Sequence, residues 1–296
     1  MKKILTLLLA LILLVGCGKT NTNKETNKEN KTGTNTEQQS GKTYSKEKPV
    51  TVKLGIMGTE SKTWSLVASK VKDKGINLEI VGFDSYRLPN AALNDKQIDL
   101  NAFQHHIYLD NEVKDLGYKI TSIGDTSIAP LGLYSKQIKN LNELKDGSKI
   151  AIPDDVSNGG RALKLIEAAG LIKVKPEAGL LPTIKDITEN PKNLQIVEFA
   201  AVNIPPVLDE IPLAAINSGI AVDSGYKYED ALFLEQIKAE GGKVSPYTNL
   251  IAARTAEKDR PEFKEILDAY YTKEVKDLIL KESNGGSIPV WEPKDK

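Results

Sequence analysis

Cysteine and histidine are almost missing from this chain. Its 296 residues hold one cysteine, Cys17, and two histidines, His105 and His106. A single cysteine excludes an intrachain disulfide, and the three residues together are too few for a zinc centre of nitrogen and sulfur ligands. The two histidines adjoin, and neighbours on an extended segment point opposite ways, so they do not suit one ion. No metal and no cofactor is expected. Charge of one sign is also lacking: 40 basic residues face 40 acidic ones. A balanced surface offers no footprint for a nucleic acid. Signatures of catalysis are scarce. There is no Gly-x-Ser-x-Gly elbow and no cysteine beyond Cys17. Adjacent carboxylates such as Asp154-Asp155 carry no mark of an acid and base pair. No catalytic residue is assigned, and an enzyme is not expected.

The one long apolar run lies at the start. Lys2 and Lys3 precede Ile4 to Leu14, interrupted only by Thr6. That is the length of a signal-peptide core and short for a bilayer span. The run ends in Leu14-Val15-Gly16-Cys17, which resembles the lipobox of bacterial lipoproteins. The resemblance implies a lipoprotein signal peptide over 1–16 and a lipid on Cys17; an ordinary secretory signal that happens to contain a cysteine is the alternative. Cleavage there removes Lys2 and Lys3 and leaves 38 basic against 40 acidic residues. Lipid rather than charge would then hold the protein on the extracytoplasmic face of the cell membrane, and two or three acyl chains suffice for that. After Cys17, residues 18–48 are Lys, Asn, Thr, Glu, Gln, Ser and Gly with Tyr44 as the only aromatic, so the expected tether is 17–48. Such a segment cannot offset its chain entropy and reads as a disordered tether, with a reach of roughly 30 Å.

From Pro49 the pattern changes. Val50, Val52, Leu54 and Ile56 alternate with Thr51, Lys53 and Gly55, which predicts a strand. A helix is expected across Trp64, Leu66, Val67 and Val71, a strand at 76–80, a short helix at 89–93 and a strand at 98–102. Further strands are expected at 128–134, 149–152, 194–199, 213–216 and 248–253. Helices are expected at 160–169, 205–209, 262–271 and 273–281, with Gly285-Gly286 stopping the last. Strand and helix in alternation imply an α/β body with mainly parallel sheets. An exported α/β chain of this length suggests a two-lobed binding protein whose ligand lies where strand ends and helix N-termini face a cleft.

Three segments could carry chemistry. Phe103, His105, His106 and Tyr108 cluster after a predicted strand; core packing is the plainer reading of the rings. Asp154 to Leu163 joins a strand to a helix through Ser157-Asn158-Gly159-Gly160-Arg161. Ser157 or Asn158 can cap that helix, its free N–H groups favour an anion, and Arg161 adds a planar fork suited to a carboxylate. A plain helix cap with a surface arginine is the alternative. The glycine spacing matches neither a P-loop nor a dinucleotide fingerprint. Asn217 and Asn249 stand at predicted strand ends, where an amide offers donors and an acceptor together.

Taken together the segments resemble the NlpA/MetQ family of lipoproteins, the substrate-binding components of methionine-type ABC importers. The carrying motifs are Gly58-Thr59-Glu60 with Trp64, Tyr86-x-x-Pro89-Asn90-x-Ala92-Leu93, and Phe103-Gln104-His105-x-x-Tyr108-Leu109. They continue with Asn158-Gly-Gly-Arg161-Ala-Leu, Asp186-Ile-Thr-Glu-Asn190-Pro-Lys-Asn193 and Ser245-Pro-Tyr-x-Asn249. The resemblance spans 49–291. It implies a two-lobed type II periplasmic-binding-protein fold, with lobe one at 49–128 and 246–296 and lobe two at 129–245. It implies a methionine side chain held among Tyr86, Phe103, His105 and Tyr108. The head group would be held by Arg161, Asn217 and Asn249. It implies as partners a permease, an ATPase and the membrane. The sequence departs from many members at Ala102, Ile107 and Pro205-Pro206, and is longer around Lys238 to Lys243. The ligand expected is therefore L-methionine, a related amino acid or a methionine dipeptide. A surface adhesin or structural lipoprotein that kept the binding fold without transport is the rival expectation.

Overall fold

The computed structural model describes residues 43–237, 245–283 and 286–295. The expected signal peptide, Cys17, most of the tether, Lys238 to Lys243 and Gly285 lie outside the described residues. Among the described residues no helix is long and apolar enough to cross a membrane.

Strand β1 (Val50–Met57) buries Val52, Leu54 and Ile56 by its alternation. Ser61 caps α1 (Lys62–Lys72) by accepting the Trp64 N–H at 3.3 Å, and Trp64, Val67 and Val71 form its buried face. Strand β2 (Ile76–Phe83) pairs in parallel with β1 along its whole length. There follow α2 (Pro89–Asn94), β3 (Leu100–Asn101), α3 (His106–Leu116), β4 (Ile120–Asp125) and the short β5 (Ser127–Ile128). The chain then turns to a second sheet with β6 (Gly132–Tyr134), β7 (Lys149–Pro153) and α4 (Val156–Ala168). A ribbon of β8 (Lys173–Val174) and β9 (Ile187–Glu189) leads to β10 (Gln195–Phe199), α5 (Ile204–Val207), β11 (Leu213–Ile216), α6 (Ser218–Asp223) and β12 (Phe233–Leu234). Strand β13 (Leu250–Arg254) returns to the first sheet, followed by α7 (Pro261–Tyr270) and α8 (Lys273–Glu282). Strand β14 (Ile288–Pro289) pairs with β5.

The two large sheets are built alike. Their orders are β2-β1-β3-β13-β4 and β10-β7-β11-β6-β12. In each, three parallel strands are followed by one antiparallel strand, β13 or β6, and a fifth antiparallel to that. Each sheet is covered by its own apolar clusters. One centres on Leu54, Leu100, Ile251 and Phe263, another on Ile150, Ile152, Leu163 and Leu213.

Several boundaries differ from expectation. The expected strand at 98–102 shrinks to β3 alone. The expected run 128–134 splits into β5 and β6 around Pro130, which has no N–H to give a ladder. The folded body reaches back past Pro49: Tyr44 is 8% exposed and packs with Val52, Val71 and Ile76 in the core cluster. An aromatic ring is worth burying, so the last residues of the expected tether, 43–48, belong to the body.

Helix α4 begins four residues earlier than expected. Its cap is Asp155, not Ser157 or Asn158, and the Asp155 carboxylate accepts the Asn158 N–H at 2.9 Å. The helix runs straight through Gly159-Gly160. A Cβ on Gly160 would lie 3.0 Å from Leu181 Cα, and one on Gly159 would lie 2.9 Å from the Pro153 carbonyl. These glycines allow close packing instead of opening the helix. Arg161 is consequently in the second turn, 5% exposed. The anion site expected at the helix start is filled by Asp155.

Candidate functional site

All seven expected binding residues, Tyr86, Phe103, His105, Tyr108, Arg161, Asn217 and Asn249, line one cleft of about 390 Å³ with walls from both sheets' halves of the chain. That volume sits at the small end for a small-molecule site.

One wall is aromatic. The Tyr86 and Phe103 rings lie 5.9 Å apart, Phe103 and Tyr108 5.7 Å, and Tyr86 and Tyr108 6.2 Å. A buried polar network behind the rings accounts for their placement. Asn90 Nδ2 donates to Gln104 Oε1 at 2.7 Å and to Glu112 Oε2 at 2.8 Å, and Asn101 Nδ2 donates to Asn90 Oδ1 at 2.8 Å. The Tyr108 hydroxyl lies 3.0 Å from the Tyr86 carbonyl and 3.1 Å from Glu112 Oε1. Burial raises the pKa of both the Tyr108 phenol and the Glu112 carboxyl. With its hydroxyl engaged, Tyr108 leaves a ring for the cleft, which suits a polarisable, unbranched side chain.

His105 joins this wall to the other. It caps α3: its Nδ1 accepts the Tyr108 N–H at 3.2 Å. Nε2 therefore carries the proton, and it donates to Asn158 Oδ1 at 3.3 Å. Burial, aided by the nearby Arg161 charge, pushes the imidazole pKa down to about 3, so the ring is neutral. Both nitrogens are spoken for, which leaves no acid–base role.

The opposite wall is a chain of amides. A carboxylate can only accept, so the Asn158 amide turns its Nδ2 to Asp155 at 3.0 and 3.1 Å. Asn158 Oδ1 then accepts from Asn217 Nδ2 at 2.7 Å. Asn217 Oδ1, at the other end of that amide, is buried without a partner. A buried acceptor left in this state is unfavourable by about 1–3 kcal/mol and marks a place for a donor.

Arg161 is held on three sides. Its Nε donates to Glu235 at 3.0 and 3.1 Å, and its Nη2 donates to Glu235 and to the Ala129 carbonyl, the latter at 2.9 Å. The Tyr247 ring lies 4.4 Å beneath the guanidinium. Among the described residues Nη1 has no partner. Arg161 is the only lysine or arginine among the residues lining the cleft, whereas Glu60, Asp223 and Glu282 line it too. Burial raises the Asp223 pKa.

Sequence reasoning passed over Asp155, Glu235 and Tyr247. Tyr247 stood in a family motif without a role. Glu235 lies 74 positions from its partner, and no short-range pattern links the two. Asp155 was legible as a carboxylate just before a helix, the usual signal of a cap. His106, by contrast, makes no part of the cleft: its Nε2 is 2.7 Å from Asp125 Oδ1, which raises its pKa. Among the described residues no cluster of His, Cys, Asp and Glu could hold a metal.

The family model for NlpA lipoproteins matches residues 52–291. The chain belongs to that family. It is 45% identical over 248 residues to the D-methionine-binding lipoprotein MetQ of Yersinia pestis, covering 82% of this chain and 89% of that one. A solved nutrient binding protein from Burkholderia cenocepacia, bound to methionine, is 42% identical with a TM-score of 0.76, over 80% of this chain and 99% of that one. The substrate binding protein of a methionine transporter from Streptococcus pneumoniae is 34% identical with a TM-score of 0.77, over 81% and 96%. The α/β body is thus the two-lobed substrate-binding fold of this family.

Proposed function

We propose that this protein is the extracytoplasmic ligand-binding subunit of an ABC importer, without catalytic activity, and that it captures L-methionine or a close amino-acid or dipeptide relative. The observation that carries the reading is the unpartnered Asn217 Oδ1 on a cleft that also presents the open Nη1 of Arg161 and three aromatic rings. An ammonium answers the first, a carboxylate the second and a thioether the third. Tyr86, Phe103, His105 and Tyr108 take the side chain; Arg161, Asn217 and Asn249 take the head group. The names of the relatives from Yersinia pestis, Burkholderia cenocepacia and Streptococcus pneumoniae support the same ligand class. A permease and an ATPase are the partners this function requires. Cys17, at the end of Leu14-Val15-Gly16, is the residue that would carry the lipid and tie the body to the outer face of the cell membrane. Two measurements test the proposal. Ligand extracted from the purified protein and identified by mass spectrometry is expected to be methionine or a methionine dipeptide. Calorimetric titration with D- and L-amino acids and such dipeptides is expected to show heat for at least one; silence from all of them with folded protein refutes the ligand class. Cys17→Ser should leave the fold intact and release the protein from membranes, and a variant that stays bound through a salt wash refutes the anchor.

A further inference from the structure

Glu235 has no counterpart in the expected binding set, yet it makes the closest contact that Arg161 has. It does not resemble a mobile plug standing in for a ligand. Its backbone N–H donates to the Leu131 carbonyl at 2.9 Å, and its Oε2 accepts the Leu131 N–H at 3.1 Å, so both ends of the residue are tied to one neighbour. It grips the Nε and Nη2 edge of the guanidinium and leaves Nη1 alone. Together with Tyr247 beneath the plane and the Ala129 carbonyl, it leaves the fork one orientation. The charge balance matters as much. Without Glu235, Arg161 would bring an uncompensated positive charge to the cleft and would reward any carboxylate. With Glu235 the pair sums to zero, and the other charged residues of the cleft lining are the acids Glu60, Asp223 and Glu282. A bare anion entering that field meets no net attraction, whereas a zwitterion brings its own ammonium to Asn217 Oδ1.

We propose that Glu235 is a positioning and specificity residue: it orients Arg161 and neutralises it, so that the cleft takes a net-neutral amino acid in preference to the same molecule without its amino group. This rests on the amino-acid reading above. The test uses the full chain in detergent and two probes, L-methionine and 4-(methylthio)butanoate. Glu235→Gln keeps the size and an acceptor but removes the charge. Methionine affinity is expected to fall about ten- to hundredfold. The butanoate should lose much less or gain, so the preference for methionine narrows by at least about tenfold. Equal losses for both probes would reduce Glu235 to a structural support and overturn the specificity role. A gain for methionine would make Glu235 a competitor for Arg161 and overturn the proposal outright. A ligand-free readout accompanies this. The chain has four arginines, Arg87, Arg161, Arg254 and Arg260, so their Nε–H signals can be assigned by nuclear magnetic resonance. The Arg161 signal should persist in the wild type through slow exchange and vanish in Glu235→Gln. Its absence from the wild type refutes the clamp even if the variant fails to fold. If the signal is present and no amino acid binds the wild type, the function proposed above falls while the clamp is upheld.

Discussion

Acidification from pH 7 to pH 5 should destabilise the folded body through His105. The imidazole is 5% exposed, accepts the Tyr108 N–H and donates to Asn158, and sits near the Arg161 charge. Its pKa is about 3 in the fold against an ordinary 6.5. The folded state therefore resists a proton that the unfolded chain accepts below pH 6.5. The stability His105 confers is present in full above 6.5 and is lost as pH falls toward 3. At pH 5 the loss is about 2 kcal/mol, from 1.36 kcal/mol per pH unit below the unfolded pKa. His106 acts in the opposite sense. Asp125 raises its pKa, so its contribution is present below 6.5 and is lost as pH rises through the raised value. It is about one-third exposed, so solvent screens the effect. The assay is urea unfolding followed by circular dichroism at pH 7, 6 and 5, with the wild type beside His105→Asn. Asparagine still caps α3 and does not titrate. The variant should be less stable at pH 7, and the gap should close by about 2 kcal/mol at pH 5. Parallel declines in the two proteins would show that the imidazole is not held neutral, and the assigned hydrogen bonds would be wrong.

Three further outcomes follow from the same contacts. Arg161→Ala should cut methionine affinity by roughly thirty- to several-thousandfold, from about 2–5 kcal/mol. Because it leaves the half-buried Glu235 without its partner, it should also lose about 2–3 kcal/mol of stability, or roughly 4–12 °C in Tm; an unchanged Tm by calorimetric scan contradicts the pair. Arg254→Ala should do the reverse. Arg254 holds Asp99, Glu257 and the Leu93 carbonyl away from the cleft, so stability should fall by about 3–5 kcal/mol while affinity stays within about threefold. Comparable affinity losses in the two variants would mean the cleft is misplaced. Asn217→Leu should weaken methionine about ten- to a hundredfold in titration and leave 4-(methylthio)butanoate almost unaffected; losses of one size for both would deny the ammonium contact.

What could be read in the sequence was whatever depends on neighbours along the chain. The alternation in Val50 to Ile56, the spacing of Trp64, Val67 and Val71, and the turn after Lys281 are local, and the elements formed where expected. The seven expected residues could be picked out because they stand in short motifs next to strand ends, and the structure brings them to one cleft. What failed depended on packing. Two glycines before Arg161 read as a helix opening, but they serve close contact with Leu181 and Pro153, and so Arg161 moved from an exposed helix start to a buried second turn. Arg254 stands in no motif, yet it is buried against carbonyls and an acid from residues more than 150 positions away. Tyr44, alone in a polar stretch, carried no periodicity that could reveal a docking site.

Asp155 shows why such residues matter to recognition although they never reach the cleft lining. Its carboxylate is an acceptor only, and that restriction passes along the wall. It sets Asn158 with nitrogen inward and oxygen outward, and His105 demands the same orientation from the other side because its Nε2 must donate. Asn217 must then give its nitrogen to Asn158, so its oxygen is the atom left over. Two independent constraints thus choose an acceptor where an amide in isolation could present either atom. Had the cap been a serine or asparagine able to donate, His105 alone would have held Asn158 in this orientation, with no carboxylate on the other side to reinforce it. The polarity that the proposed head-group subsite would present is therefore set by His105 and by Asp155, a carboxylate that beside Asp154 carries no mark of an acid and base pair in the sequence. The reason lies in hydrogen-bond direction and not in proton transfer.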